Sequence, residues 1–164
     1  MIRNAGPEDA EAIAAVWNSV IRDSIATFNS VTKEPAEILR LLHDKERQGH
    51  PFLVIGQGQV TGFATYGQFR GGIGYSRTME HTIHLASGAR GQGHGRALMR
   101  ALEAIARENS VHSMWAGISG ENREAIRFHA AIGYREIVRL RQVGQKFDRW
   151  FDLVLMQKFL TGGS

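Results

Sequence analysis

The sequence predicts a mixed α/β domain in which helices pack on one central sheet. Three observations carry that expectation. Apolar runs of strand length recur along the chain, with helix-spaced apolar residues between them. The 164 residues suit one domain with one sizeable core. Around residues 79–105 a strand pattern runs through a glycine-rich turn straight into a helix pattern, a unit of mixed folds.

The elements follow in order. Gly6-Pro7 reads as a helix start with proline at the first helical position, and Ile13, Val16, Trp17, Val20 and Ile21 recur at helical spacing. Thr32 is the expected cap of a second helix that turns Ile38, Leu41 and Leu42 to the core. Phe52 to Ile55 reads as a buried strand, Gln57-Gly58 as a turn and Val60 to Tyr66 as the returning strand. Gln68 to Ser76 is glycine-rich and reads as a loop; Met79 to Ala86 is the next strand. Leu98, Ala101, Leu102 and Ile105 form one helix stripe, Met114 to Ile118 a strand, and Asn122 to Ala131 a short helix closed by Gly133. Tyr134 to Val143 and Arg149 to Lys158 read as strands flanking a turn at Gly144.

Composition narrows the function classes. An apolar fraction of 43% and a charged fraction of 22% are ordinary for a soluble globular chain. With no cysteine, disulfides and thiolate metal sites are excluded, which fits a reducing cytoplasm. No apolar run is long enough to cross a bilayer, so no membrane role is expected. The net charge of +4 favours an anionic small ligand; no Lys/Arg block stands out, so no nucleic-acid partner is expected.

The densest signal is Ala89 to Met99, ARGQGHGRALM. A helix N-terminus offers free backbone N–H groups and partial positive charge, which together attract anions. Gly91, Gly93 and Gly95 let phosphate oxygens approach the main chain, and Arg90 and Arg96 add charge at the edges. A pyrophosphate is the ligand this suggests; alone, the glycines equally suit a helix-capping turn. No Gly-Lys-Ser/Thr follows, so this is not a Walker A loop. The glycine spacing and the missing downstream acid also argue against a dinucleotide fingerprint.

In the preceding strand, Glu80, Thr82 and His84 share one face and Met79, His81, Ile83 and Leu85 the other. A ligand resting its pyrophosphate on the turn would lay its tail along this strand toward Glu80. That carboxylate suits a general base for an amine, and equally an edge-strand acid. His81 and His84 point to opposite faces and cannot share one ion, so no metal is expected.

These residues resemble a known family. Arg90-Gly91-Gln92-Gly93-His94-Gly95 is similar to the Q/R-x-x-G-x-G/A signature of the GNAT N-acetyltransferase superfamily, and the element order resembles that fold over nearly the whole chain. Thr78 to Leu85 (TMEHTIHL) resembles the T-V-E-x-[ST]-V-Y-V strand of the branch that acetylates phosphinothricin and methionine sulfoximine. Arg127 to Tyr134 and Gln142 to Trp150 resemble its L-H-x-x-L-G-[YF] and V-G-x-K-x-x-x-W segments.

The resemblance implies a GNAT-like single domain spanning residues 1–164, with a mixed, mostly antiparallel sheet whose strand pair 79–86 and 114–118 is splayed. It implies acetyl-CoA as cosubstrate: residues 90–96, including Gln92 and His94, for its pyrophosphate, and Ile83, His84, Leu85 and Asn122 for the rest of the cofactor. Glu80 takes the general-base position. His129 stands where many members carry a tyrosine acid; a packing histidine is the other reading.

The implied acceptor is a small amino acid or analogue such as phosphinothricin, methionine sulfoximine or methionine sulfone. Its carboxylate needs a cation, and Arg70 with Ile73-Gly74-Tyr75 matches the branch's substrate region. Phe28 would wall the side-chain pocket, with Lys146 contributing across the interface of a homodimer. The alternatives are a protein N-terminal or lysine acetyltransferase and a CoA-binding sensor without turnover.

Overall fold

The computed structural model describes residues 1–162. Strands β1 (Ile2–Asn4), β2 (Phe52–Gln57), β3 (Gln59–Gln68), β4 (Thr78–Leu85), β5 (Ser113–Ser119), β6 (Arg135–Lys146) and β7 (Arg149–Phe159) form one sheet. Its order is β1-β2-β3-β4-β5-β7-β6. Neighbours are antiparallel except β4 and β5, which are parallel. Four helices accompany it among the described residues: α1 (Ala10–Asp23), α2 (Pro35–Gln48), α3 (His94–Glu108) and α4 (Arg123–Ala131).

The apolar run Phe52-Leu53-Val54-Ile55 explains how helices come to lie on both faces. Alternate residues of a strand point to opposite sides, so a strand covered on both reads as continuously apolar. Phe52 and Val54 join Ile13 and Val16 of α1 and Ile38 of α2. Leu53 and Ile55 join Leu98, Met99, Leu102 and Ala106 of α3 on the other face. The buried stripe of α3 is therefore turned slightly from the expected one, leaving Ala101 and Ile105 at its margin.

Three local expectations are corrected. The second helix starts at Pro35, not after Thr32: Glu34 is the N-cap, and its amide donates to Glu37 Oε1 at 3.2 Å. Proline disfavours helical geometry in the residue before it and suits the first helical position itself. The last hairpin does not turn at Gly144. Strand β6 continues to Lys146, and Phe147 and Asp148 make the turn at φ +52 and +58. Proline at residue 7 opens only a single tight turn, and α1 proper begins at Ala10.

The parallel β4–β5 ladder is short. It pairs Thr78 with Ser113, Met79 with Met114 and Glu80 with Trp115, and there it stops. Residues 81–85 still pair with β3, through to Leu85 opposite Gly62. Past Glu80 the sheet is open between β4 and β5.

Candidate active site

That opening is the wall of a cavity of about 660 Å³. Glu80 to Leu85 line it along β4, Gly117 to Ser119 along β5, and Gly91 and Gly93 to Arg96 at the start of α3. Asn122, Glu124, Ala125, Phe128 and His129 close it from α4, and Ala26, Thr27 and Phe28 from the segment after α1.

The turn before α3 has the features of an anion site. Gly91 and Gly93 take φ +75 and +81, a left-handed geometry costly for other residues. Gly93 is the N-cap and has no side chain to cap the helix, so the first-turn amides of this 15-residue helix stay available. Gly95 is buried, and a Cβ there would press on Phe128 at 3.3 Å. Gln92 turns away from the cavity and donates to Gly88 O at 2.9 Å.

Glu80 sits where β4 and β5 part. Burial pushes its carboxyl above the ordinary carboxylate range, because the charged form loses water. Gly117 makes room for it: a Cβ at 117 would lie 2.8 Å from Glu80 Oε2. His84, four residues on along the same strand face, packs edge-on against Phe63 at 5.6 Å and near Trp17. Burial, with Arg90 adding to it, brings His84 down to about 4.

On the other face, His81 and His129 meet Nε2 to Nε2 at 2.9 Å. His129 Nδ1 lies 2.8 Å from Ala125 O and must donate to it. In the neutral ring Nε2 is then an acceptor, so the proton between the rings belongs to His81. Burial pushes both imidazoles below the ordinary histidine value, His81 the further. Tyr134 stands edge-on to both rings, and its hydroxyl donates to Glu103 at 2.9 Å.

The cavity thus gathers Phe28, Glu80, Ile83, His84, Leu85, Arg90, Gly91, Gly93, His94, Gly95, Arg96, Asn122 and His129. Asn122 also caps α4, accepting from Ala125 N at 3.1 Å. Arg70, Ile73, Gly74 and Tyr75 lie outside it on an exposed loop, with the Arg70 guanidinium 5.8 Å from the Tyr75 ring. Lys146 is outside it too: its ammonium donates to Ser24 O and Thr27 O. Sequence reasoning missed Ala26, Thr27 and Gly117, whose small side chains carry no signal until distant segments meet.

The arrangement offers a helix terminus with free amides, an open strand edge and, at its far end, a half-buried carboxyl. Comparisons with known proteins give the family. The family model described as acetyltransferase (GNAT) domain matches residues 2–155. An L-methionine sulfoximine/L-methionine sulfone acetyltransferase of Pseudomonas aeruginosa is 36% identical, over 95% of this chain and 92% of that one. A crystal structure described as ribosomal-protein-alanine N-acetyltransferase from Brucella melitensis superposes with a TM-score of 0.95 at 39% identity, covering 97% and 99% of the two chains. The yncA acetyltransferase of Salmonella typhimurium, solved with its cofactor acetyl-CoA, gives 0.95 at 33% identity, covering 100% and 95%.

Proposed function

The chain belongs to the GNAT acetyltransferase family, and on that premise we propose that it acetylates the α-amine of a small amino acid or analogue, of the methionine sulfoximine, methionine sulfone or phosphinothricin kind. The observation that carries this is Glu80: a carboxylate raised by burial, inside the cavity, at the end remote from the helix terminus. The Pseudomonas relative supports the acceptor class.

The residues present fit acetyl-CoA. The uncapped start of α3, Gly91, Gly93 and the two arginines suit its pyrophosphate. The unpaired edge of β4 at Ile83 and Leu85 suits an amide-bearing arm. When bound, the thioester supplies an activated acetyl group.

This chain's part in the reaction is proton handling and positioning. An ammonium acceptor must first lose a proton, and Glu80 takes it, directly or through water. The freed nitrogen bonds to the acetyl carbon, the C–S bond breaks, and the nitrogen's second proton passes by way of His129 to the departing thiolate sulfur. Main-chain N–H groups left unpaired in the β4–β5 opening would be available to the oxygen that gains charge. His129 returns a proton to the departing thiolate sulfur. For that its Nε2 must carry a proton and turn out of the His81 contact. A carboxylate-bearing acceptor needs a cation, and we assign Arg70 to it, on the exposed loop that leads into β4.

The name carried by the Brucella structure favours a second reading, acetylation of a protein N-terminus. A thiol-release assay with acetyl-CoA separates the two, using methionine sulfoximine, methionine sulfone, phosphinothricin, the common amino acids and N-terminal peptides. Saturable turnover on the first group supports the proposal. Turnover on peptides alone replaces it, and acetyl-CoA binding without turnover on any amine points to a sensor.

We also propose a homodimer acting in the cytoplasm, where acetyl-CoA is at hand. Exposed Ile137, Val143, Phe147 and Trp150 on the outer β6–β7 hairpin support the dimer; light scattering on a sizing column tests it. Among the described residues, no helix is long and apolar enough to cross a membrane.

A further inference from the structure

Lys146 closes β6 with its side chain buried, only 4% of the residue being exposed. Its ammonium donates to Ser24 O at 2.7 Å and Thr27 O at 2.9 Å, partners 122 and 119 residues away in sequence. Among the described residues no carboxylate pairs with it. A lysine placed this way spends its charge on two main-chain carbonyls, which suits holding a segment still.

The same hairpin grips the segment a second time. Gly144 lies so close to Phe28 that a Cβ there would come within 2.3 Å of the ring. The Phe28 ring also packs on Phe151 of β7 at 5.6 Å between centroids. Residues 24–28 belong to no helix or strand. Their position is set by Lys146 at one end and by Gly144 and Phe151 at the other. Ala26, Thr27 and Phe28 are the part of this segment that lines the cavity containing Glu80.

We infer that Lys146 is a positioning residue for the acceptor: it clamps residues 24–28 over the cavity that contains Glu80, and Gly144 leaves the space that lets Phe28 close it. This rests on the amino acid acceptor proposed above. It replaces direct contact between Lys146 and the substrate with action through the main chain. The clamp is assigned to the acceptor because its contacts tie residues 24–28 to the β6–β7 hairpin and not to the turn before α3.

The test is Lys146→Met, which keeps the length and apolar stem but donates nothing. Amide hydrogen exchange is read first and needs no acceptor. Exchange at residues 24–28 is expected to quicken at least tenfold, with the sheet unchanged. In the thiol-release assay with methionine sulfone, the acceptor KM is expected to rise at least tenfold and the acetyl-CoA KM to stay within twofold.

Rescue follows from the absence of cysteine in the chain. Lys146→Cys, alkylated while unfolded with 2-bromoethylamine and refolded beside a parent control, regains an amine at nearly the same reach. It is expected to recover the parent KM. If Lys146→Met does not fold, Gly144→Ala displaces Phe28 instead and should raise the acceptor KM alone. Unchanged exchange at 24–28 overturns the clamp whatever the acceptor proves to be. Equal rises in both KM values, or no rescue by alkylation, overturn it as a positioning device. A parent inactive on every amino acid, with exchange still quickened in Lys146→Met, refutes the proposed acceptor and leaves the clamp standing.

Discussion

Glu80 lies directly over Gly117: one carboxylate oxygen occupies space that the first side-chain atom of any other residue would contest, at 2.8 Å. The two sit on the adjacent strands β4 and β5: Glu80 belongs to their last pair, and Gly117 lies two residues past its partner Trp115. Because the far end of a glutamate swings easily, Gly117→Ala should fold normally yet move the carboxylate off its line. We expect kcat to fall about tenfold or more, with the acetyl-CoA KM within twofold and Tm nearly unchanged, since general-base catalysis depends on hydrogen-bond reach. An alanine variant with parent kcat would show that the carboxylate position does not matter.

A base must be ionised to accept a proton. Burial raises Glu80 above its ordinary value of 4.5, so activity should disappear as pH falls through that raised value. The acid limb of kcat/KM should therefore lie above 4.5. Glu80→Gln should lose about a hundredfold or more and lose that limb as well. Retention of the limb in the glutamine variant would assign it to another group.

His84 makes a separate prediction about stability. Its folded value, about 4, lies below the 6.5 of the exposed ring. Between those values the unfolded chain binds more protons than the folded one, so stability falls as pH drops from 6.5 to 4 and levels off below. The shift corresponds to about 3 kcal/mol at most. His81 and His129 are depressed too and act in the same direction. Glu80, raised, opposes them. Denaturant melts at pH 7.5 and 4.5 should show the loss, and His84→Phe, which retains the packing on Phe63, should reduce it. An equal loss in parent and variant would take His84 out of the account.

Gly91 and Gly93 hold left-handed backbone on the turn before α3. Alanine at either should cost about 1 kcal/mol of backbone strain. The functional effect should appear in the acetyl-CoA KM, with the acceptor KM little altered; isothermal titration with CoA checks it. Unchanged affinity would mean that the anion rests elsewhere.

The parts of this protein that were legible in the sequence are those set by local rules. Alternation along Thr78 to Leu85 placed Glu80 and His81 on opposite faces, and the structure turns one toward Gly117 and the other toward His129. The buried run 52–55 and the helix after Gly93 likewise follow from spacing and turn chemistry. The three-residue β1 went unseen because so short a strand has no period, and only its pairing with β2 makes it one. Gly144 was misread because a glycine inside a strand looks like a turn; its reason is Phe28, more than a hundred residues earlier. Ala26, Thr27 and the main-chain partners of Lys146 belong to the same class, since their roles exist only when distant segments meet.

The brevity of the β4–β5 ladder bears on how the folded protein responds to its ligand. Three residue pairs are all that join the four strands β1–β4 to the three strands β5–β7 through the sheet itself. A molecule lodged in the opening supplies what the missing pairs do not, and the unfolded chain offers it no such place. By mass action, acetyl-CoA at a hundred times its dissociation constant should stabilise the fold by about 2.7 kcal/mol. The empty enzyme is then the form most exposed to heat and proteolysis, and its lifetime should track the supply of acetyl groups.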